Sequence, residues 1–268
     1  MLARPARLRY GPAMTKSAQP VPDKPGTTHF GFKTVGEDEK ANLVKDVFDS
    51  VAGRYDLMND LMSLGVHRLW KNTLMARVRP KPQEQLLDVG GGTGDIAFRW
   101  KKAGGGPVTV LDINAEMLAV GEARALDHGI IGDIEWTRGD AEALPFEDMT
   151  FDVYTTAFCI RNVTRIDAAL REARRVLKPG GRFYCLEFSR VVVPGLDKLY
   201  DTYSFEILPR IGQAVTKDRE SYQYLAESIR KFPDQETFKG MIEDAGLERA
   251  TVSNLSGGVA AIHSAWRL

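Results

Sequence analysis

The sequence is poor in cysteine, balanced in charge and free of long apolar runs. Its two cysteines, Cys159 and Cys185, lie far apart inside apolar segments and lack the spacing of metal ligands. This fits packing roles in a reducing compartment, and no metal site is predicted. Because 36 basic residues cancel 36 acidic ones, no overall positive field favours nucleic acid as a partner. No apolar run approaches the roughly 20 residues of a spanning helix, so we expect at most peripheral contact with a membrane.

What remains is the composition of an ordinary globular protein, with 43% hydrophobic and 27% charged residues among 268. Residues 1–28 are rich in arginine and proline and poor in acids, which predicts a disordered leader before one domain over residues 29–268. The leader is interpreted as a bacterial tail or an over-called start, and a mitochondrial presequence is the alternative. The expected location is the bacterial cytoplasm or the inner face of the plasma membrane. The matrix side of the mitochondrial inner membrane is the alternative.

Apolar strand-like segments alternate with helix-like segments through the middle of the chain. The pattern predicts strands at Leu86–Val89, Pro107–Asp112, Ile134–Thr137, Phe151–Cys159 and Arg182–Glu187, and helices at Asp95–Ala103, Asn114–His128 and Ile166–Leu177. Two later runs, Arg249–Asn254 and Val259–Trp266, predict a closing antiparallel hairpin. We therefore expect an α/β fold with a seven-stranded, mostly parallel sheet and helices on both faces. Ligands bind such sheets at the carboxyl ends of the strands.

Two stretches fall outside this alternation. Residues 37–78 precede the sheet and show helical spacing over Glu37–Ala52 and His67–Val78. Polar side chains between these two helices suit the rim of a pocket for an apolar ligand. Residues 191–224 carry closely spaced apolar and aromatic side chains, which predicts a helical lid over an apolar pocket or a surface that touches lipid. Ordinary packing is the alternative for both stretches.

A glycine-rich turn follows the first strand of the predicted sheet. Its pattern, Asp88-x-Gly90-x-Gly92-x-Gly94, departs from the dinucleotide fingerprint of dehydrogenases, which has glycine at the position of Asp95. The pattern is similar to the loop with which class I methyltransferases bind S-adenosylmethionine. An acid beside the loop suits the cationic sulfonium and ammonium groups of that ligand. A turn that serves only strand–helix packing is the alternative.

Acids also follow the next two predicted strands. Asp112 ends the second strand about twenty residues after the glycine loop, where a carboxylate can accept hydrogen bonds from a ribose diol. After the third strand, Asp140 could accept a hydrogen bond from an adenine amine while the Ala141 amide donates to a ring nitrogen. A helix cap and an ordinary turn are the alternatives. Sites at three consecutive strand ends together favour one bound cofactor.

The pair Arg161–Asn162 follows the fourth predicted strand. Arg161 offers a planar fork of donors that could hold a phenolate or quinol oxygen, and Asn162 can both donate and accept hydrogen bonds. The alternative is that Arg161 pairs with a surface acid and Asn162 caps a turn.

Longer patterns with gaps are more specific than these short ones. They are Tyr55-Asp56-x-Met58-Asn59 with Ser63, His67 and Trp70, Arg175–Gly181 with Glu187 and Ser189, Phe158–Val163, and Ser221–Leu225. On these residues the chain resembles the ubiquinone/menaquinone biosynthesis C-methyltransferases from about His29 to the C-terminus. The resemblance implies a Rossmann-like class I methyltransferase fold and S-adenosylmethionine contacts at Thr93, Asp112, Asp140 and Ala141. Ala157 stands where members often have serine, so no cofactor contact is expected there.

The resemblance also implies methylation of a ring carbon in a prenylated benzoquinol or naphthoquinol. Loss of a hydroxyl proton activates the ring, and a nearby cation assists the same step. We expect Arg161 to stabilise the developing oxyanion and Asn162 to orient it. Asp95, Tyr55 and Asp56 are candidates to relay the proton.

Several alternatives stay open on the sequence alone. The benzoquinol is the preferred substrate, because residues 185–189 and 232–238 look most like the ubiquinone-pathway members. An NAD-dependent oxidoreductase and a non-catalytic cofactor-binding member of a quinone-biosynthesis complex are the competing functions. Peripheral membrane contact and a homodimer or such a complex are the expected associations.

Overall fold

The computed structural model describes residues 26–51, 55–130, 132–216 and 219–268, so most of the predicted leader lies outside the described residues. The described chain opens with a short antiparallel hairpin, β1 (Thr27–Phe30) and β2 (Lys33–Gly36). The two short strands are mostly polar and show no apolar run, which is why the sequence did not predict this hairpin. Because β1 begins at Thr27, regular structure starts two residues before the predicted beginning of the domain.

Three helices follow the hairpin: α1 (Glu37–Val51), α2 (Tyr55–Ser63) and α3 (His67–Val78). The sequence predicted α1 and α3 but not α2, whose polar side chains obscure its helical period. In the structure two of those side chains fix the corner between α2 and α3. Asp60 Oδ1 lies 2.9 Å from His67 Nε2, and Ser63 Oγ accepts a hydrogen bond from the His67 amide at 3.1 Å.

The alternating segments form five parallel strands, as predicted, with a helix in every connection except that from β5 to β6. They are β3 (Leu86–Val89), α4 (Asp95–Lys102), β4 (Val108–Asp112), α5 (Ala115–Asp127), β5 (Ile134–Arg138), β6 (Phe151–Ala157), α6 (Ile166–Val176) and β7 (Leu177–Phe188). Asn114 caps α5 by accepting a hydrogen bond from the Met117 amide at 3.1 Å. β6 ends two residues before the predicted Cys159, because Phe158 has a left-handed φ of 58° that breaks the strand.

The stretch predicted as an insertion is helical. It contains α7 (Leu196–Thr202), a π-helical turn (Tyr203–Ile207), α8 (Leu208–Thr216) and the first part of α9 (Arg219–Lys231). The Tyr203 hydroxyl donates a hydrogen bond to the Leu61 carbonyl, which joins this stretch to α2. Its role as a lid stays a prediction.

The chain closes with α10 (Gln235–Asp244), β8 (Glu248–Leu255) and β9 (Ala260–Trp266). β9 runs antiparallel to both β7 and β8, so the sheet has the order β5-β4-β3-β6-β7-β9-β8. The predicted seven-stranded, mostly parallel sheet with its antiparallel hairpin is therefore confirmed.

Neighbouring residues of each strand serve opposite faces of the sheet. Leu86 and Val110 pack with the buried sides of α3, α4 and α5, whereas Leu87 and Leu111 pack with α6 and α10. This is the period of two expected when both faces of a sheet are covered. Because β3 to β7 run parallel to one another, their carboxyl ends lie at the same edge of the sheet. Among the described residues, none of the helices combines the length and the apolar character needed to cross a membrane.

Candidate functional site

The carboxyl ends of β3, β4 and β6 surround a cavity of about 430 Å³, which we call the large cavity. The glycine-rich loop forms its floor, the loops after β4, β5 and β6 form its sides, and α1 lies over it. Nine predicted site residues line it together: Asp88, Gly90, Gly92, Thr93, Asp95, Asp112, Asp140, Ala141 and Asn162. The volume is in the range of small-ligand sites.

The glycine loop packs against its neighbours and also lines the large cavity. Gly90 has φ of 65°, and a Cβ there would lie 2.0 Å from the Sγ atom of Cys159. Only glycine allows the loop after β6 to pass so close. The Gly92 amide donates a 2.9 Å hydrogen bond to Asp112 Oδ2, so the loop is tied to the end of β4. Gly90 thus allows close packing against the loop after β6, and the same glycine loop lines the large cavity.

Asp88 lies behind this loop and is completely buried. The Thr155 hydroxyl donates a 2.7 Å hydrogen bond to its Oδ1 atom, whereas its Oδ2 atom has no hydrogen-bond partner among the described residues. Burial raises the pKa of Asp88 to about 7, although the Thr155 hydrogen bond and the Lys71 charge oppose the rise. A buried acceptor left in this condition fits a ligand that carries a cationic donor.

Asp112 lies at the end of β4, and both of its carboxylate oxygens accept hydrogen bonds. Oδ2 accepts from the Gly92 amide and Oδ1 from the Asn114 amide, each at 2.9 Å. Burial raises its pKa to about 6, opposed by these backbone hydrogen bonds. Each oxygen keeps a second lone pair, so the carboxylate can still accept from a diol.

The remaining predicted contacts lie on either side of Asp112. The Thr93 hydroxyl is buried in the loop and accepts a 2.8 Å hydrogen bond from Arg124. On the other side, Asp140 Oδ1 accepts from the Glu142 amide at 2.9 Å, and Ala141 also lines the large cavity. The acid thus shapes the turn after β5, which is compatible with the predicted adenine contact.

Asp95 begins α4 and is held by two cations. Lys71 Nζ lies 2.7 Å from its Oδ2 atom, and Arg99 Nε lies 3.0 Å from its Oδ1 atom. Burial acts to raise the pKa of Asp95, but the Lys71 and Arg99 charges outweigh that effect and hold the pKa below its ordinary value. Asp95 is therefore ionised throughout the physiological pH range.

Arg161 and Asn162 occupy a 3-10 turn (Ile160–Asn162) after β6, and both residues are buried. Asn162 lines the large cavity, and its Oδ1 atom accepts a 2.9 Å hydrogen bond from the hydroxyl of Tyr224, which does not line that cavity. Arg161 lines a second cavity of about 280 Å³. The two cavities share four lining residues, Glu37, Val163, Thr164 and Arg165, and so lie side by side.

The Arg161 guanidinium is almost completely buried and pairs with a buried acid. Its Nη1 atom lies 2.8 Å from Oε1 of Glu187, and both side chains are 1% exposed. Burial raises the pKa of Glu187, and the Arg161 charge opposes that rise. Lys40 adds a further cation to the second cavity; it donates to the Val163 carbonyl at 2.9 Å, and burial lowers its pKa to about 8.

Tyr55 and Asp56 begin α2, and their side chains lie outside what the structure describes. Three contributors were missed by sequence reasoning: Lys71, Glu187 and Tyr224. Glu187 offered a signal, since an acid inside the apolar run Cys185–Phe188 needs a buried partner. Lys71 and Tyr224 offered none, because their partners are distant in sequence.

A seven-stranded sheet in this order, with a glycine loop and acidic strand ends around one cavity, defines a class I S-adenosylmethionine-dependent methyltransferase. The same fold occurs in a Thermotoga maritima structure described as a SAM-dependent methyltransferase and possible histamine N-methyltransferase. The TM-score is 0.60 at 19% identity, over 83% of this chain and 99% of that one. More particularly, residues 33–267 match the ubiE/COQ5 methyltransferase family, and the chain belongs to this family. The predicted enzyme class and cofactor are confirmed, and the oxidoreductase alternative is set aside.

Curated relatives cover nearly the whole chain. The ubiquinone/menaquinone biosynthesis C-methyltransferase UbiE of Acidiphilium cryptum is 60% identical over 90% of this chain and 97% of its own length. The mitochondrial 2-methoxy-6-polyprenyl-1,4-benzoquinol methylase of Mus musculus is 53% identical over 90% of this chain and 84% of its own length. The recognised family resemblance is therefore confirmed.

Binding of S-adenosylhomocysteine, the demethylated cofactor, is expected to depend on pH. Burial raises the pKa of Asp88 to about 7 and that of Asp112 to about 6, so both are largely protonated at pH 5.5 and ionised at pH 8. If the ligand needs both carboxylates, its Kd should rise on the order of 10- to 100-fold between pH 8 and pH 5.5. Calorimetric titration across this range measures the change.

The stability of the free protein should move in the opposite direction. Because both pKa values are raised above those of the unfolded chain, these groups lower the free energy of unfolding as pH rises from about 4 to about 7. Asp88→Asn should weaken binding at pH 8 and flatten the pH profile. A Kd that is constant with pH in the wild-type protein contradicts the assignment.

Proposed function

We propose that this chain transfers a methyl group from S-adenosylmethionine to a ring carbon of a prenylated quinol. The observation that carries the proposal is the Arg161–Asn162 turn, in which Asn162 lines one of two adjacent cavities and Arg161 lines the other. The relatives support it, since one is named for C-methylation in ubiquinone/menaquinone biosynthesis and the other for methylation of a polyprenyl benzoquinol.

The charges of the second cavity suit a quinol that loses a proton. A ring carbon becomes nucleophilic once the adjacent hydroxyl is deprotonated, and a fixed cation stabilises the resulting oxyanion. After methyl transfer that carbon loses its hydrogen as a proton and the oxyanion is protonated again, so that one proton is released overall. Arg161 and Lys40 both line this cavity with their cationic groups buried or nearly so. We assign the oxyanion to Arg161 and the orientation of the ring to Asn162, which Tyr224 holds in place.

The proton needs a separate acceptor, because arginine stays protonated in proteins. Asp95 lines the large cavity in its ionised form and has a lowered pKa. A carboxylate of this kind accepts a proton weakly and releases it readily to water, which suits a relay better than a final acceptor. Tyr55 and Asp56 stay candidates for the same relay by their place at the start of α2.

The cofactor is assigned to the large cavity. Asp112 would hold its ribose, Asp140 and Ala141 its adenine, and the Gly92–Thr93 loop would lie against the rest. Bound there, S-adenosylmethionine supplies a methyl group on a sulfonium. These residues act by position, because transfer needs the ring carbon about 3 to 3.5 Å from the methyl group.

Incubation of the purified protein with S-adenosylmethionine and short-chain prenylated quinols tests the proposal. Mass spectrometry should show one methyl group added to a ring carbon, with the methoxybenzoquinol converted faster than the demethylnaphthoquinol. The oxidised quinone is the matched control, since it has no hydroxyl to deprotonate and should not react. Methylation on oxygen, or equal conversion of the oxidised quinone, would sink the proposal.

We further propose that the protein contacts the lipid surface in which a prenylated substrate resides. Exposed apolar side chains lie on neighbouring segments; they are Leu64 and Leu69 at the α2–α3 corner, Val192 and Val193 after β7, and Leu199 on α7. Hydrogen bonds join these segments through the loop Ser256–Gly258, from Trp70 Nε1 to Ser256 Oγ and from the Val192 amide to the Gly257 carbonyl. This contact would place the protein at the inner face of the bacterial plasma membrane or its mitochondrial counterpart.

Leu64→Asp combined with Leu199→Asp should therefore weaken binding to phospholipid vesicles. Burial of one leucine contributes about 1.5 to 3 kcal/mol, so the pair should cost at least roughly tenfold in vesicle affinity. Leu126→Asp on α5 is the matched control, since Leu126 is 60% exposed but lies on another element. Cosedimentation measures the effect, and equal binding by both variants contradicts the proposal. A homodimer or a quinone-biosynthesis complex stays a prediction, to be checked by the mass of the protein in solution.

A further inference from the structure

Lys71 is a buried lysine to which the proposed function assigns no role. It lies on α3, 4% exposed, and lines the large cavity beside Asp88 and Asp95. Its Nζ atom is 2.7 Å from Asp95 Oδ2 and 5.9 Å from the centre of the Phe158 ring. Burying a lysine is costly unless its charge is compensated. Asp95 supplies that compensation, but it also has Arg99 as a partner and would remain paired without Lys71.

The large cavity has two chemically different ends. Asp140 and Ala141 line the end beyond Asp112, and Lys71 and Asp95 line the end beyond the glycine loop. With the nucleoside of the cofactor assigned to the first end, its amino-acid end falls at the second. That end of the ligand carries one ammonium and one carboxylate.

The two charges of the ligand need opposite partners. The buried Asp88 Oδ2 and the Asp95 carboxylate suit the ammonium, but neither can receive a carboxylate. Lys71 has three N–H donors, and Asp95 accepts one of them. Arg165, another cation of the cavity, pairs with Glu142 toward the adenine end. Lys45 on α1 is the remaining lysine that lines the cavity and is the competing candidate.

We propose that the Lys71 ammonium binds the carboxylate of the amino-acid end of the cofactor while it stays paired with Asp95. The inference rests on the proposed function for the placement of the cofactor in the large cavity, with its nucleoside at the end that Asp140 and Ala141 line. In this arrangement the acids bind the ammonium of the ligand, and Lys71 binds its carboxylate. A charge-assisted hydrogen bond in a buried site contributes enough to change affinity roughly 10- to 100-fold.

Three ligands separate the charges in a binding experiment that needs no turnover. S-Adenosylhomocysteine has both charges, its decarboxylated analogue S-adenosyl-3-thiopropylamine has only the amine, and 5′-methylthioadenosine has neither. In calorimetric titration, Lys71→Met should weaken the first ligand roughly 10- to 100-fold and leave the other two within about twofold. Lys71→Arg should recover most of the affinity, and Lys45→Met should leave the order of the three affinities unchanged. Thermal unfolding verifies that each variant is folded.

Other patterns overturn the assignment. Equal weakening of the homocysteine ligand and the amine analogue in Lys71→Met would show that Lys71 acts only through Asp95. A selective loss in Lys45→Met instead would assign the carboxylate to α1. Failure of the quinol methylation assay alongside the expected binding pattern would count against the proposed substrate and leave the role of Lys71 intact.

Discussion

Arg161→Gln is expected to lower kcat on quinol about 1,000-fold while changing the Kd of S-adenosylhomocysteine by less than about threefold. The loss follows from the assignment of the oxyanion to Arg161, because one well-placed donor in a site without water commonly contributes 100- to 1,000-fold. The cofactor affinity should hold, since Arg161 lines the second cavity and not the large one. Single-turnover methylation and calorimetry measure the two quantities.

Arg161→Gln is also expected to destabilise the fold. The experiment must therefore separate the loss of turnover from the loss of stability. Glutamine at position 161 leaves Glu187 buried at 1% exposure without its cation, which costs about 3 to 5 kcal/mol in comparable pairs. Arg161→Gln with Glu187→Gln removes both charges and should recover most of the stability. The double variant should stay as inactive as the single one.

Glu187→Gln alone completes the comparison. It keeps the Arg161 cation but removes the carboxylate that positions it at 2.8 Å, so kcat should fall less than in Arg161→Gln. If the double variant regains both stability and turnover, Arg161 serves only the fold and the assignment of the oxyanion is wrong.

Asp112→Ala is expected to weaken S-adenosylhomocysteine by at least about 100-fold. The change removes the proposed acceptor of the ribose diol and frees the amides of Gly92 and Asn114, which the two carboxylate oxygens now hold at 2.9 Å. Hydrogen bonds to a charged group contribute about 1.5 to 3 kcal/mol each, so the loss of two is sufficient for this effect. Calorimetric titration at pH 8, where Asp112 is ionised, measures it.

Asp112→Asn is the matched control because it has the same shape. One carbonyl oxygen remains to accept from the loop, whereas the amide nitrogen cannot, so an intermediate Kd is expected. Asp140→Ala should cost less than Asp112→Ala, because Asp140 is exposed at the rim. An Asp112→Ala protein that binds the ligand normally would remove the ribose contact from the site.

The sequence predicted those parts of the fold that depend on local pattern. Leu86–Val89 and Val108–Asp112 are mostly apolar segments that both faces of the sheet bury, and Asn114 caps the helix that follows the second. The sequence did not predict α2, because its polar side chains obscure the helical period. They form hydrogen bonds at the corner with α3, and that corner exists only in the folded structure. The sequence did not predict the hairpin β1–β2, because its short strands are mostly polar and show no apolar run.

The same difference between local patterns and distant contacts decides which site residues could be predicted. Each acid at a strand end could be located from its own strand, which is why Asp88, Asp112 and Asp140 line one cavity as expected. The pairs Lys71–Asp95 and Arg161–Glu187 join residues 24 and 26 positions apart, and no local period indicates them. For the same reason the sequence could not show that Arg161 and Asn162 line different cavities.

The Arg161–Asn162 turn links the affinity for the cofactor to the affinity for the quinol. Arg161 and Asn162 are consecutive, so a ligand that orders the turn from the second cavity also orders it for the large one. Linkage requires the effect to be reciprocal: if the quinol tightens cofactor binding by some factor, the cofactor tightens quinol binding by the same factor. We therefore expect the two substrates to bind cooperatively, whichever is added first.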